Sequence, residues 1–145
     1  MSLFSVLSVS ASGMAAERTR AELLVENLAN SETTRTPEGG PYRRKEAVFS
    51  SAPQSSPFSA VFQTEIGSGV NGVEVSDVLE DTRAPEKRYM PGHPDADEDG
   101  YVAYPRANPA EDMVNLMGAS RNFQANVAAM TAIKDMILQS INLMK

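Results

Sequence analysis

The chain has 145 residues, a net charge of −6 and no cysteine. That length allows one ordinary domain, the acidic balance argues against a general nucleic-acid binder, and the missing thiols exclude disulfides and thiol chemistry. No run reaches the ~18 uncharged apolar residues of a membrane span. The N-terminus has no basic start and has serines among its apolar residues, so it does not read as a standard cleavable signal peptide.

Composition divides the chain into 1–30, 31–109 and 110–145. All nine prolines lie between Pro37 and Pro109, with seven of the nine glycines, and residues 37–109 carry seven basic and twelve acidic side chains. Two proline-free arms therefore flank an acidic, turn-rich middle.

Residues 1–16 hold no charged side chain. Leu7, Met14, Ala21 and Leu28 recur at sevens, beside Phe4, Ala11 and Val25, with Arg18 alone breaking the second row. This predicts a helix from Leu3 to Leu28 with Asn30 near its C-terminal cap. Ser31 to Tyr42, with Gly39-Gly40 and two prolines, predicts an extended, turn-rich exit. Arg43, Arg44 and Lys45 read as a solvated patch. Glu46–Ser50, Val61–Ile66, Val73–Val78 and Tyr101–Tyr104 read as strands, with Ser51–Ser59 and Thr82–Lys87 as loops and Gly67–Gly72 as a turn.

From Ala110 to Lys145 there is no proline and one glycine. Leu116, Phe123, Met130, Ile137 and Met144 stand every seventh residue, interleaved by Met113, Val127 and Ile141. Asn108-Pro109-Ala110-Glu111 supplies an N-cap amide, a proline at the first helical position and a carboxylate that can reach back. One helix here would be roughly 54 Å long at about 1.5 Å per residue, too long for the inside of a small globule. Between Met113 and Ile133 the only charge is Arg121, whereas a helix on a water-soluble surface carries a charged face. The fold class is therefore mainly α: two long terminal helices paired as an antiparallel coiled coil forming one helical domain, with a short β-rich module between them.

Few residues point to chemistry. Asp95-Ala96-Asp97-Glu98-Asp99-Gly100 opens like a calcium loop, but Arg106 stands at the twelfth position, where a bidentate carboxylate belongs. The plainer reading is a turn leading into Tyr101–Tyr104. His93, the only histidine, lies between Gly92 and Pro94 with no nucleophile motif beside it. Neither a phosphate-cradling glycine loop nor an H-E-x-x-H spacing is present. The reading is a non-enzyme with no catalytic residue, metal site or cofactor, and the methionines read as helix-interface packing.

Three blocks carry a resemblance. Asn27-Leu28-Ala29-Asn30-Ser31-Glu32-Thr33 through Arg44 resembles the N-terminal signature of bacterial flagellar rod proteins, of the axial rod and hook family, and Thr33–Arg44 is similar to the proximal rod proteins in particular. His93-Pro94-Asp95-Ala96 with Gly100-Tyr101-Val102-Ala103-Tyr104-Pro105 is the second block. Glu111-Asp112-Met113-Val114-Asn115 followed by Ala119-Ser120-Arg121-Asn122-Phe123-Gln124-Ala125-Asn126 is the third. Arg106-Ala107 departs from the usual asparagine and aliphatic pair, and Ser51–Gly72 matches no recognised pattern. The short middle favours the proximal rod over the longer hook and distal rod proteins.

The resemblance implies a structural subunit of the proximal rod in the flagellar basal body. It implies type III export without a cleaved signal, assembly in the periplasm around a central channel, and transmission of motor torque. Its partners would be copies of itself, other rod proteins, the export apparatus and basal-body components, with no nucleic acid and no membrane span. The expected seam and neighbour contacts are Leu7, Met14, Leu28, Leu116, Phe123, Met130 and Ile137. The expected polar contacts are Asn27, Asn30, Thr33, Gln124 and Asn126. The rival readings are a secreted calcium-binding module centred on Asp95–Gly100 and a soluble helical adaptor that uses the same arms to hold a partner helix.

Overall fold

The computed structural model describes residues 3–53 and 71–143. Helix α1 spans Leu3–Ala29, strands β1 (Lys45–Pro53) and β2 (Asn71–Glu80) follow, then β3 (Glu86–Tyr89), β4 (Tyr101–Tyr104) and helix α2 (Pro109–Leu143). Two long helices thus enclose a small module of two sheets.

The start of α2 and the end of α1 are each set by an asparagine. The Asn108 side-chain oxygen accepts the Ala110 N–H at 3.2 Å and the Glu111 N–H at 3.5 Å, which satisfies donors that a helix start leaves open. Glu111 and Asp112 lie in that first turn, where the dipole favours carboxylates. At the far end of α1 the Asn30 backbone N–H and Nδ2 both donate to the Glu26 carbonyl, each at 3.0 Å.

The helices lie against each other. A Cβ built on Gly13 would stand 3.3 Å from the Asn126 amide, and Asn122 Nδ2 donates to Glu17 Oε1 at 2.9 Å. Four residues forward on α1 thus match four back on α2. The enclosed side chains of the two helices mix small, polar and large apolar groups: Ser10, Ala16, Leu24 and Asn27 are buried on α1, and Asp112, Ala119 and Ile133 on α2.

β1 and β2 pair antiparallel from Lys45↔Glu80 to Pro53↔Asn71, with a bulge at Ser76 that opposes two β2 residues to one on β1. The Val73 N–H donates to Ser12 Oγ at 3.1 Å, which ties this sheet to α1. β3 and β4 form the second antiparallel pair, Glu86↔Tyr104 to Tyr89↔Tyr101. Val102 is fully enclosed, and the Arg88 guanidinium lies 4.7 Å above the Tyr104 ring.

Three expectations about the middle need correction. Ser51, Ala52 and Pro53 continue β1 instead of opening a loop, and Asn71 and Gly72 are strand rather than turn. Ladder hydrogen bonds along the whole hairpin override the turn preference of these residues. Glu86 and Lys87 begin β3 instead of ending a loop. All four β3 residues are exposed, so that strand has no inside and outside to write as an alternating pattern. β2 takes β1 as its partner. The expected strand Val61–Ile66 lies outside the described residues.

Candidate assembly surface

The site is built around the segment from Asn27 to Lys45. Asn27 is completely buried and both ends of its amide are bonded. Nδ2 donates to the Lys45 carbonyl at 2.8 Å, while Oδ1 accepts the Lys45 N–H at 2.8 Å and the Tyr42 hydroxyl at 2.9 Å. One asparagine thereby fixes where β1 starts relative to the last turn of α1. Lys45 Nζ reaches Glu26 at 2.7 Å beside it. Burial, with the negative charge of Glu26 next in effect, pushes the Tyr42 phenol up to about 12.

Two more ties leave the same segment. Arg44 donates through Nε and Nη2 to Asp112 Oδ1, at 3.0 and 2.7 Å, and so joins the start of β1 to the first turn of α2. The hydrogen bond to Asp112 holds the guanidinium above its ordinary pKa, a charge-assisted contact at an enclosed site. Thr34 Oγ1 donates to Asp95 Oδ2 at 2.8 Å, which joins the segment to the loop between β3 and β4. The backbone closes on itself through Tyr42 N–H to the Thr33 carbonyl at 3.0 Å and Gly39 N–H to the Thr36 carbonyl at 3.0 Å. Gly39 and Gly40 take φ of 92° and 79°, a region open to glycine at little cost.

The acidic loop is spoken for from within the chain. Asp97 Oδ1 accepts the N–H groups of Asp99 at 3.2 Å and Tyr101 at 2.7 Å. These bonds, that of Tyr101 first, lower its pKa and make it the pivot of the turn into β4. Asp95 faces Thr34, with Arg35 at 3.9 Å. Among the described residues no group of three or more His, Asp or Glu is placed to hold a metal. His93 Nδ1 accepts the Asp95 N–H at 3.2 Å, a local turn contact.

The helix residues singled out from the sequence divide by position. Leu7, Met14 and Leu28 on α1 and Leu116, Met130 and Ile137 on α2 are half-buried, whereas Phe123 is exposed. Asn30, Thr33 and Asn126 are half-buried and Gln124 is exposed. Thr33 Oγ1 donates to Asn30 Oδ1 at 3.1 Å, and Asn126 Nδ2 donates to the Asn122 carbonyl at 3.0 Å. The enclosed row of α2 is instead Asp112, Ala119 and Ile133, with Asn126 half-buried in line. It too stands at sevens, but Asp112 and Asn126 are polar, Ala119 is small and Ile133 is its one large apolar member, so a search for large apolar residues passes over it. Arg44 and Asp112 were likewise missed as a pair, since nothing local links residues so far apart in sequence.

α2 leaves many large apolar side chains outside, among polar ones. Met113, Val114, Met117, Phe123, Val127, Met136, Leu138, Ile141 and Leu143 all rank as exposed, Val114 at 66% and Leu143 at 89%. Monomeric soluble proteins rarely keep contiguous apolar surface of that kind uncovered. No helix among the described residues is long and apolar enough to cross a membrane.

The sequence comparisons agree with one another. Residues 98–143 match the family model described as the C-terminal part of the flagellar basal body rod FlgEFG proteins. The flagellar basal-body rod protein FlgC of Bacillus subtilis is 38% identical over 152 aligned positions, covering all of both chains. FlgC of Salmonella typhimurium is 37% identical, covering 99% of this chain and 98% of its own. FlgC of Borreliella burgdorferi is 33% identical, covering 100% and 99%. With the likeness running from end to end, the chain belongs to the FlgC family of flagellar basal-body rod proteins, the structural subunits of the flagellar rod.

Proposed function

We propose that this rod subunit works by leaving its helix pair half-covered, so that neighbours in the rod complete the packing. The observation that carries the reading is the set of large apolar side chains that α2 leaves exposed between Met113 and Leu143. Within one chain Gly13 and Asn126 lie close together, and Ala119 and Ile133 are enclosed. Met113, Val114, Met117, Val127 and Leu138 stay exposed along α2 and are left for other helices. The contacts of Gly13 with Asn126 and of Glu17 with Asn122 support pairing as an antiparallel coiled coil, the helical domain of the chain, with residues 31–109 as an outer module. Head-to-tail contacts that do not close generate helical assemblies, and a tube of such helices would surround a central export channel and carry motor torque. Export by the flagellar type III apparatus, without a cleaved signal, and assembly in the periplasm with other rod and basal-body components belong to the same reading. The role is structural and non-enzymatic.

The seam and neighbour contacts we assign are Leu7, Met14, Leu28, Leu116, Phe123, Met130 and Ile137, with Asn27, Asn30, Thr33, Gln124 and Asn126 as polar contacts within or between subunits. Phe123→Asp tests the assignment, because Phe123 is exposed at 38% in the single chain and a carboxylate there costs the monomer little. The variant is expected to keep its helical circular dichroism and to be missing from purified basal bodies, with loss of swimming. Normal swimming by that variant would remove the seam assignment.

A further inference from the structure

α2 outruns α1. Gly13 lies against Asn126 and Glu17 against Asn122. Extended along both helices, that register sets Leu3, where the described α1 begins, level with Met136. Ile133 is the last enclosed residue of α2, Ile137 is half-buried, and Leu138, Ile141 and Leu143 are exposed. Two turns of apolar helix therefore project with no partner among the described residues. Lys134, Leu138 and Ile141 stand at i, i+4 and i+7, on one face. Lys134 is exposed and makes no ion pair among the described residues.

The same molecule carries a complementary surface elsewhere. A notch of about 310 Å³ opens where α1, α2 and the β1–β2 hairpin meet, lined by Val9, Gly13, Phe49, Val73 and Ala125 with Glu17 at its wall. Glu17 spends Oε1 on Asn122. Its other oxygen, Oε2, is buried without a hydrogen bond among the described residues and has only Arg20 at 3.9 Å. A buried carboxylate oxygen left without a donor is unfavourable. An incoming helix face with two aliphatic side chains and a cation one turn before them matches the apolar lining of the notch and the negative charge at its wall.

We propose that the projecting end of α2 docks in this notch on a second copy of the chain, Leu138 and Ile141 against Val9, Phe49 and Val73, and Lys134 toward Glu17. Continuity of the helix seam past the end of α1 and the match of charge identify the occupant as a second copy. A knob and a pocket on different faces of one molecule give a heterologous contact, which repeats without closing. This rests on the rod reading above and assigns it a specific contact.

The chain has no cysteine, so a crosslink reports only on residues that are introduced. Leu138→Cys and Ala125→Cys are placed together in the full chain, as the sole copy in the cell, and basal bodies are purified and oxidised. Within one chain these positions are roughly 20 Å apart along α2 at 1.5 Å per residue, beyond the ~7 Å Cα separation that a disulfide spans. The expected result is a ladder of multimers that collapses on reduction, with neither single variant giving anything beyond a dimer. Adding Lys134→Glu is expected to lower ladder yield at least fivefold. Leu138→Cys with Val73→Cys, read the same way, guards against a folding defect peculiar to Ala125→Cys. Chain present in basal bodies but only monomeric with both pairs overturns the contact and leaves the rod reading standing. A wild-type chain absent from basal bodies overturns both.

Discussion

Asn27→Ala is the substitution that should cost this fold most for its size. It removes three hydrogen bonds of 2.8, 2.8 and 2.9 Å from a side chain with no exposure. At about 1 kcal/mol net per bond the loss is about 3 kcal/mol. Water reaches the Lys45 backbone only partly, because that contact is half-buried, so the orphaned groups keep the figure from falling much lower. With a urea slope near ~1.5 kcal/mol/M, the midpoint should drop by about 2 M. Tyr42→Phe is the internal control. It deletes one of the three bonds and leaves Asn27 Oδ1 with the Lys45 N–H, so its cost is about 1 kcal/mol. The assay is urea unfolding followed by circular dichroism at 222 nm, with wild type and both variants at equal concentration. An Asn27→Ala midpoint within about 0.5 M of wild type, or equal to that of Tyr42→Phe, would refute the claim that this amide sets the position of β1 on α1.

Two further outcomes follow from the same region. Asp112→Ala should destabilise by about 3 kcal/mol, since it strands the Arg44 guanidinium at a contact that Asp112 encloses. Arg18→Ala, at a pair whose side chains are 76% and 62% exposed, should change stability by less than about 0.5 kcal/mol; equal losses in urea unfolding would contradict the reading. An absorbance titration at 295 nm should show one phenol ionising near 12 that disappears in Tyr42→Phe. The folded state holds that proton more tightly than the unfolded chain, whose tyrosines ionise near ~10. The stability it contributes is therefore whole below about pH 10 and is lost as pH rises toward 12.

Both helices were legible in the sequence because their signals are local. The caps at Asn108 and Asn30 and the seven-residue spacing of large apolar side chains placed the ends of α1 and the start of α2 to within one residue. The spacing of Leu116, Phe123, Met130 and Ile137 marked an apolar face, but which row meets α1 depended on size. Ala119 and Gly13 permit close approach, so the enclosed row is the one with the least hydrophobic signal. β3 was illegible because Glu86-Lys87-Arg88 has no buried face to write as alternation. The clasp was half legible: Asn27 and Thr33 stood out within the family signature, whereas Arg44–Asp112 and Thr34–Asp95 join residues that only the fold brings together.

The segment from Thr34 to Lys45 has a mechanical consequence. It is fastened to α1 through Asn27, to α2 through Asp112 and to the β3–β4 loop through Asp95. Three struts radiating from one short plate to three separate bodies brace them as a truss does, and each strut is a contact of 3.0 Å or less. A displacement of either helix would reach the plate through these contacts. Cutting any one strut turns the frame into a linkage that can shear, even where every helix and strand remains intact.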